Sequence, residues 1–202
     1  MTRIIAGVAR GRRLAVPAGT RTRPTSDRAR EGLFATITAV HGPLDGAAVL
    51  DLYAGSGAVG LEALSRGAAA VLLVESDPAV SRVIRANMTA VGLPGAGLVT
   101  GQVATVLRRG PGGGPGRGPG SEPGTGPGFD VVVADPPYAA DDREVTAMLT
   151  ALHGGGWLAP GALVAVERAT RSGPVAWPAG YAPDRSRRYG EATFWYGLAA
   201  GI

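Results

Sequence analysis

Residues 51–60 of the 202-residue chain have the sequence DLYAGSGAVG and follow a short apolar run. An apolar run before a glycine-rich turn predicts a buried strand, and the residues after the turn predict a helix that Gly67 ends. The glycines allow the backbone to turn sharply and to approach a ligand closely. This stretch therefore predicts a strand, a turn and a helix that together bind a nucleotide-like cofactor.

Strands and helices alternate along the rest of the chain, which favours a doubly wound, parallel α/β sheet. Residues 1–24 are expected to form a basic N-terminal extension with a hairpin, and residues 25–202 a single domain. The predicted strands are 4–5, 14–16, 49–53, 70–75, 98–99, 131–134, 162–167 and 193–196, and the predicted helices are 29–40, 58–66, 78–91 and 141–152.

Residues 110–128 interrupt this alternation. Fifteen of these 19 residues are glycine or proline, with a proline at every fourth position from Pro111 to Pro127. Such a segment cannot bury enough apolar surface to offset the entropy lost on ordering. We therefore expect a disordered loop inserted between two elements of the domain.

The glycine motif alone fits NAD as well as S-adenosylmethionine. Glu75 ends the next predicted strand, 20 residues beyond Gly55, where an acid can accept hydrogen bonds from both ribose hydroxyls. Asp51 lies four residues before Gly55, where it can act on the ammonium group of a methionine moiety, which NAD lacks. We predict S-adenosyl-L-methionine, held by Asp51, Tyr53, Gly55, Ser56, Gly57, Gly60, Glu75, Gln102 and Val103.

The second motif, Asp135-Pro136-Pro137-Tyr138, follows the apolar run 131–134. It places a carboxylate at the carboxyl end of a central strand, where open α/β sheets bind ligands. The Asp135 side chain and the Pro136 carbonyl could hold both N–H groups of an exocyclic base amine and so orient its lone pair. Tyr138 could stack on an extruded base. We predict methyl transfer to such an amine, with Asp135, Pro136 and Tyr138 as the catalytic group.

The charge of the chain is concentrated at its N-terminus. Residues 1–30 contain eight arginines and one acid, whereas the chain as a whole has a net charge of +4. A basic arm on a nearly neutral body is typical of nucleic-acid binding. The chain has no cysteine, which excludes disulfides and the thiolate adduct used to methylate cytosine C5. The arginines that we expect to contact RNA are Arg3, Arg10, Arg12, Arg13, Arg23 and Arg28.

These segments together resemble the RsmD family, the 16S ribosomal RNA (guanine(966)-N2)-methyltransferases. The resemblance implies a Rossmann-like class I methyltransferase fold, with a seven-stranded, mostly parallel sheet and an N-terminal RNA-binding β-hairpin. It also implies guanine N2 of 16S rRNA in the assembling small subunit as the target. The chain departs from the family at the Gly/Pro insertion and at Ala6. The segments that carry the resemblance are residues 3–7, 11–14, 23–28, 30–31, 50–60, 61–68, 135–138 and 188–190.

Three other functions fit part of the sequence. An adenine-N6 DNA methyltransferase can use the same Asp-Pro-Pro-Tyr motif, but it would need more chain for target recognition. An NAD-dependent oxidoreductase would need a hydride-transfer acid or base, and His41 and His153 lie outside both motifs. The third is a cofactor-binding RNA chaperone, which would not need Asp135. We expect a cytoplasmic protein, since no apolar run of 18 residues and no signal-like N-terminus occur. We also expect a monomer that binds no metal.

Overall fold

The fold is built on a seven-stranded sheet with helices on both faces, as a computed structural model of residues 2–17, 26–111 and 128–200 describes it. The strands lie in the order β5-β4-β3-β6-β7-β9-β8, and the first five are parallel. The last two pair antiparallel, β7 with β9 and β9 with β8. The sheet strands are β3 (Ala48–Leu52), β4 (Ala70–Glu75), β5 (Ala96–Thr100), β6 (Phe129–Ala134), β7 (Leu158–Ala169), β8 (Tyr181–Tyr189) and β9 (Ala192–Ala199).

Five α-helices in the described part of the chain cover the two faces of the sheet. One core contains side chains of α1 and α2, and the other contains side chains of α4 and α5, so alternate residues of the central strands are buried on opposite faces. This confirms the predicted α/β fold and its mostly parallel sheet. The helices are α1 (Asp27–Val40), α2 (Ala58–Ser65), α3 (Pro78–Val91), α4 (Val103–Arg108) and α5 (Asp142–Gly154).

Local capping residues fix where the helices begin and end. The Ser26 side chain accepts a hydrogen bond at the start of α1, and Asp77 does so at the start of α3. Asp141 and Glu144 form a reciprocal capping box at the start of α5. Gly92 ends α3 in the left-handed conformation. The predicted helices therefore agree with the observed ones to within about two residues.

The N-terminal hairpin consists of β1 (Thr2–Arg3) and β2 (Arg13–Leu14), which pair antiparallel. Its strands begin and end earlier than the predicted 4–5 and 14–16. The hairpin turn begins at Ile4, whose N–H donates to the Arg12 carbonyl and whose carbonyl accepts from the Gly11 N–H. After Leu14, the N–H and the carbonyl of Ala15 bind the side chain of Asn87 on α3 instead of another strand. Ile4 and Leu14 are fully buried in the core that α1 and α2 share, so the hairpin packs on the body of the domain.

Two elements were absent from the prediction. Helix α4 has only six residues, which is too short for a clear helical pattern. Strand β8 is an edge strand that contains Pro183 and an irregular register between Pro183 and Ser186. Its residues are mostly exposed, so they show no alternation of apolar and polar side chains. The predicted loop 110–128, apart from its ends, and Arg23 lie outside the described residues.

A buried ion cluster joins the hairpin, α1 and α2. Glu62 is fully buried and accepts hydrogen bonds from the Arg30 Nε at 2.9 Å and the Arg66 Nη2 at 2.7 Å. The Arg30 guanidinium, only 1% exposed, also donates to the backbone carbonyl of Arg3. Arg66 lies over the ring of Phe34 on α1, with its guanidinium carbon 4.5 Å from the centroid. Each buried charge therefore has a partner of opposite sign, which burial of charge requires.

Glu62→Ala should lower the free energy of unfolding by about 3–5 kcal/mol, because it removes the buried counter-charge of Arg30 and leaves that guanidinium only the half-exposed carboxylate of Asp27. Urea denaturation measures this change. The control is Arg3→Ala, which breaks a 3.7 Å ion pair with Asp27 between two exposed side chains and should cost about 1 kcal/mol or less. Equal losses for the two variants would contradict a structural role for the buried cluster.

Candidate active site

Four carboxyl side chains gather at one edge of the sheet. Asp51, Glu75, Asp135 and Glu167 lie at the carboxyl ends of β3, β4, β6 and β7, or one residue beyond. Each lies two residues after a side chain of the α1/α2 core, and residues i and i+2 share a face of a strand. All four line one cavity of about 260 Å³. The cavity is also lined by Val16, Pro17, Tyr53, Ala54, Gly55, Ser56, Ala58, Val59, Ser76, Asp77, Val80, Val133, Pro137 and Phe194.

The register of the sheet sets the spacing of these groups. Leu52 pairs with Val74 and Ala134, and Ala134 pairs with Val166. The next residue on each strand therefore forms one row across the sheet, which holds Glu75, Asp135 and Glu167. Asp135 and Glu167 belong to adjacent strands, so their backbones are about 5 Å apart, while Glu75 is two strands from Asp135, a backbone distance of about 10 Å. Asp51 lies two residues deeper on the same face.

Asp51 is 3% exposed, and its Oδ2 accepts a hydrogen bond from the backbone N–H of Gly60 at 2.9 Å. Burial, together with the negative charge of Glu75 and against the opposing effect of the Gly60 hydrogen bond, raises the pKa of Asp51 to about 7. Asp51 thus ties the end of β3 to the first turn of α2. Its remaining carboxylate capacity is available at the floor of the cavity, where a cation would favour its ionised form.

The turn between β3 and α2, residues 53–57 and called the glycine loop below, lies around the Asp51 carboxylate. Tyr53 has a φ of 62°, and it is the one residue other than glycine with positive φ in the described ranges, which marks a constrained backbone at the cavity wall. The predicted site residues Gly57 and Gly60 do not line the cavity. Gly57 has a φ of 76°, and a Cβ on Gly60 would approach the Val71 side chain to 2.8 Å. Their place in the structure is to let α2 pack closely on the sheet.

Both carboxylate oxygens of Glu75 are oriented by backbone donors. Oε2 accepts from the Gly55 N–H at 3.0 Å, and Oε1 accepts from the Asp77 N–H at 2.9 Å. The first contact links β4 to the glycine loop, and the second links it to the start of α3. Oε1 also accepts from the Ser76 hydroxyl at 3.4 Å, a long contact that a ligand hydroxyl could replace, and Oε2 keeps capacity for a further donor. The carboxylate can therefore still bind a hydroxyl pair from within the cavity.

Asp135 lies one residue beyond β6, and its backbone N–H donates to the carbonyl of Leu52 at 3.3 Å. Burial raises the pKa of Asp135 well above its usual value, and the charges of Glu167 and Asp51 raise it further. Pro136 is buried, and Pro137 lines the cavity. Tyr138 is 50% exposed and is not part of the cavity wall, so its ring is presented at the surface beside the opening.

A second cavity, of about 780 Å³, adjoins the first. Tyr53, Ser76 and Pro137 line both. The predicted cofactor residues Gln102 and Val103 line only this second cavity, together with the first residues of α4. The structure thus places them next to the other predicted cofactor residues, across the wall formed by Tyr53 and Ser76.

The sequence prediction assigned no role to Glu167, although it ended the predicted strand 162–167 at this residue. Glu167 has the same signal as the three acids that were predicted, since it is an acid at the end of a buried parallel strand. The prediction also missed Phe194, which pairs with Glu167 across β7 and β9 and lines the cavity. Neither residue lies in a glycine or proline motif, and Phe194 is revealed by the sheet register alone.

The hairpin exit also contributes to the cavity, through Val16 and Pro17. Asn87 on α3, which is 2% exposed, holds this segment by hydrogen bonds with both the N–H and the carbonyl of Ala15. Its amide also donates to the carbonyl of Ser56 in the glycine loop at 2.9 Å. Asn87 therefore fixes the hairpin exit and the glycine loop relative to each other.

The predicted RNA-binding arginines in the described ranges are all exposed, namely Arg3, Arg10, Arg12, Arg13 and Arg28. Arg12 differs from the others, because its Nη1 donates to the carbonyl of Ala90 on α3 at 2.7 Å. Exposed arginines also occur near the cavity on β8. This strand runs parallel to β7, so Arg187 and Arg188 near its end lie at the same edge of the sheet as Asp135.

No cluster of three or more histidine, aspartate or glutamate side chains in the described residues could hold a metal ion. Within the same residues, no helix is long and apolar enough to cross a membrane.

Comparison with known proteins gives the family of the chain. Residues 2–197 match the family described as Conserved hypothetical protein 95. The chain is 36% identical over 192 residues to the ribosomal RNA small subunit methyltransferase D of Escherichia coli K12, and the match covers 95% of this chain and 87% of that protein.

Solved structures agree with this match. The Escherichia coli protein yhhF superposes with a TM-score of 0.80 at 33% identity, covering 100% of this chain and 99% of its own. A hypothetical protein of Thermus thermophilus superposes with a TM-score of 0.75 at 32% identity, over 100% of both chains. The family match, the sequence identity and the shared sheet agree, and the chain belongs to the RsmD family of methyltransferases.

Proposed function

We propose that this protein transfers a methyl group from S-adenosyl-L-methionine to the exocyclic N2 amine of a guanine in 16S rRNA. The observation that carries the proposal is that Asp135, with two prolines after it, lies in one cavity with the glycine loop and Glu75. An acceptor for a base amine thus lies beside a cofactor-type loop. The Escherichia coli relative acts on small-subunit ribosomal RNA, by its name. The sequence prediction of guanine N2 as the target rests on the family resemblance.

The residues of the cavity fit the proposed methyl donor. S-adenosyl-L-methionine supplies a methyl group on a positively charged sulfur, and it carries an ammonium group and a ribose. Asp51 offers a buried carboxylate for the ammonium group, which would stabilise its ionised form. Glu75 offers carboxylate oxygens for the ribose hydroxyls, fixed in place by Gly55 and Asp77. Gln102 and Val103, in the adjoining cavity, are placed to contact the adenine.

Asp135 and Pro136 would hold the target amine. The amine is a poor nucleophile because its lone pair is delocalised into the ring. Two acceptors, the Asp135 carboxylate and the Pro136 carbonyl, can bind its two N–H groups and turn the lone pair towards the methyl group. The raised pKa of Asp135 makes its carboxylate a better proton acceptor as positive charge develops on the nitrogen. Tyr138, exposed beside the opening, would stack on the extruded base.

The hairpin would hold the RNA backbone. Arg10 and Arg13 are exposed, and the segment after β2 leads directly to Val16 and Pro17 at the cavity. Phosphates bound by the hairpin would therefore lie close to a base in the active site. We further propose that residues 1–24 are the RNA-binding extension of a methyltransferase domain spanning 25–202, and that the protein is a cytoplasmic monomer acting on the assembling small subunit.

Asp135→Ala should lower turnover by about 100-fold or more, because it removes one preorganised acceptor of the target amine. Asp135→Asn should lose less, since the amide oxygen still accepts a hydrogen bond. Transfer of tritiated methyl from S-adenosyl-L-methionine to small-subunit RNA and to DNA measures both. Asp130→Asn is the control, because Asp130 is an acid at the opposite end of β6 and binds the Ala48 N–H. Turnover of Asp135→Ala close to wild type, or transfer to DNA alone, would refute the proposal.

Glu75→Ala should weaken binding of S-adenosyl-L-methionine by roughly 1–3 kcal/mol, measured by calorimetry. The ribose contact is isolated by repeating the titration with an analogue that lacks the ribose 2′-hydroxyl. If Glu75 binds this hydroxyl, the losses from the mutation and from the analogue overlap and are less than additive. Full additivity would assign Glu75 to holding the Gly55 loop alone.

Arg10→Ala combined with Arg13→Ala should weaken RNA binding and flatten its salt dependence. Each lost phosphate contact should reduce the slope of log affinity against log salt by about 0.7–0.9. The control pair is Arg109→Ala with Arg143→Ala. Both arginines are exposed; Arg109 directly follows α4 and Arg143 lies on α5, and these two helices pack on the face of the sheet opposite α1 and α2. A slope reduced equally by both pairs would mean that the hairpin has no special part in binding RNA. Arg12 is left intact because it also binds Ala90.

A further inference from the structure

Glu167 is a buried acid beside the proposed target site. Glu167 is 5% exposed and lines the cavity that contains Asp135. It lies on β7, the strand next to β6, in the same row of the sheet as Asp135. On its other side, Phe194 continues the row and lines the same cavity. A base amine held by Asp135 would therefore bring its neighbouring ring atoms close to Glu167.

Glu167 and Asp135 belong to adjacent strands, whose backbones are about 5 Å apart. Burial of Asp135 disfavours its charged form. The repulsion between Asp135 and Glu167 raises the pKa of Asp135. A pair of adjacent acceptors in one cavity suits a ligand that presents adjacent donors.

The Watson–Crick edge of guanine presents such donors, N1–H next to the N2 amino group. Adenine has an acceptor at its N1 position, and 2-aminopurine combines the 2-amino group with an acceptor at N1. The atom at N1 thus distinguishes guanine from both. Two acceptors side by side, one for N2 and one for N1–H, would favour guanine and would meet a lone pair at N1 with repulsion.

We propose that Glu167 selects guanine by accepting the N1–H hydrogen bond, while Asp135 holds the N2 amine. The inference rests on the proposed methylation of guanine N2 and adds the residue that distinguishes the base. Asp135 and Pro136 accept from any exocyclic amine, so they cannot tell guanine from another aminopurine. Glu167 supplies that distinction from a neighbouring strand, and the rigid sheet fixes its position relative to Asp135.

The test compares guanine with 2-aminopurine in the same RNA. Small ribosomal subunits are reconstituted with RNA ligated to carry either base at the position that the wild-type protein methylates, and kcat/KM is measured for each. Wild type should prefer guanine strongly. Glu167→Gln should reduce this preference by about tenfold or more, because the amide N–H can donate to N1 of 2-aminopurine. Loss of O6 from the base affects both proteins, so it cancels in the ratio of preferences.

Two further variants show whether a changed ratio comes from Glu167 itself. Glu167→Asp keeps the charge but shortens the side chain, so it should lower kcat/KM for guanine while keeping the preference. Asp130→Asn, an acid-to-amide change at the far end of β6, should keep the wild-type preference. Thermal melting and S-adenosylhomocysteine affinity of each variant show that the fold and the cofactor site are intact.

The outcomes separate the inference from the function beneath it. An unchanged preference in Glu167→Gln, with active wild type, would overturn the role of Glu167 and leave the methyltransferase proposal standing. Equal loss of preference in Asp130→Asn would also overturn it. No methyl transfer by the wild type to guanine in the reconstituted subunit would contradict the proposed function itself.

Discussion

The parallel alignment of β3, β4, β6 and β7 is the constraint on which the active site depends. Because these strands run in one direction with one register, their carboxyl ends bring Asp51, Glu75, Asp135 and Glu167 to a single face and a single edge. Like charges at this spacing repel, and the raised pKa values of Asp51 and Asp135 show that repulsion together with burial. The site therefore favours ligands that are cationic or rich in donors. A sulfonium cofactor and the donor edge of guanine both meet this requirement.

The N-terminal segment is coupled to that site by two buried polar centres. Glu62 binds Arg30, Arg66 and the Ile5 N–H, and so attaches the hairpin to α1 and α2. Asn87 binds Ala15 and Ser56, and so sets the hairpin exit against the glycine loop. RNA held by the hairpin would thus have a fixed position relative to the cavity. Both centres bind backbone atoms of the N-terminal segment directly, and Asn87 alone connects that segment to the glycine loop.

The fold could be predicted from the sequence because its signals are local. The apolar run before Gly55, the cap at Asp77 and the stop at Gly92 each specify an element boundary within a few residues. Elements whose bounds depend on distant partners were missed or shifted: β2 ends where Asn87 binds the backbone of Ala15, and β8 is defined by pairing with β9. In the site, residues inside motifs were predicted, whereas Glu167 and Phe194 enter through the sheet register. Gly57 and Gly60, which were predicted to bind the cofactor, do not line the cavity, and their lack of a side chain lets the helix pack closely on the strands.

The identity of the methylated nucleoside tests the central proposal most directly. Small-subunit RNA from cells that lack the enzyme is incubated with the protein and S-adenosyl-L-methionine carrying a labelled methyl group, then digested to nucleosides and analysed by mass spectrometry. The account predicts that the label is found in N2-methylguanosine. Label in N6-methyladenosine or in a methylated pyrimidine would show that the carboxyl groups at the edge of the sheet do not hold the guanine amine, and would contradict it.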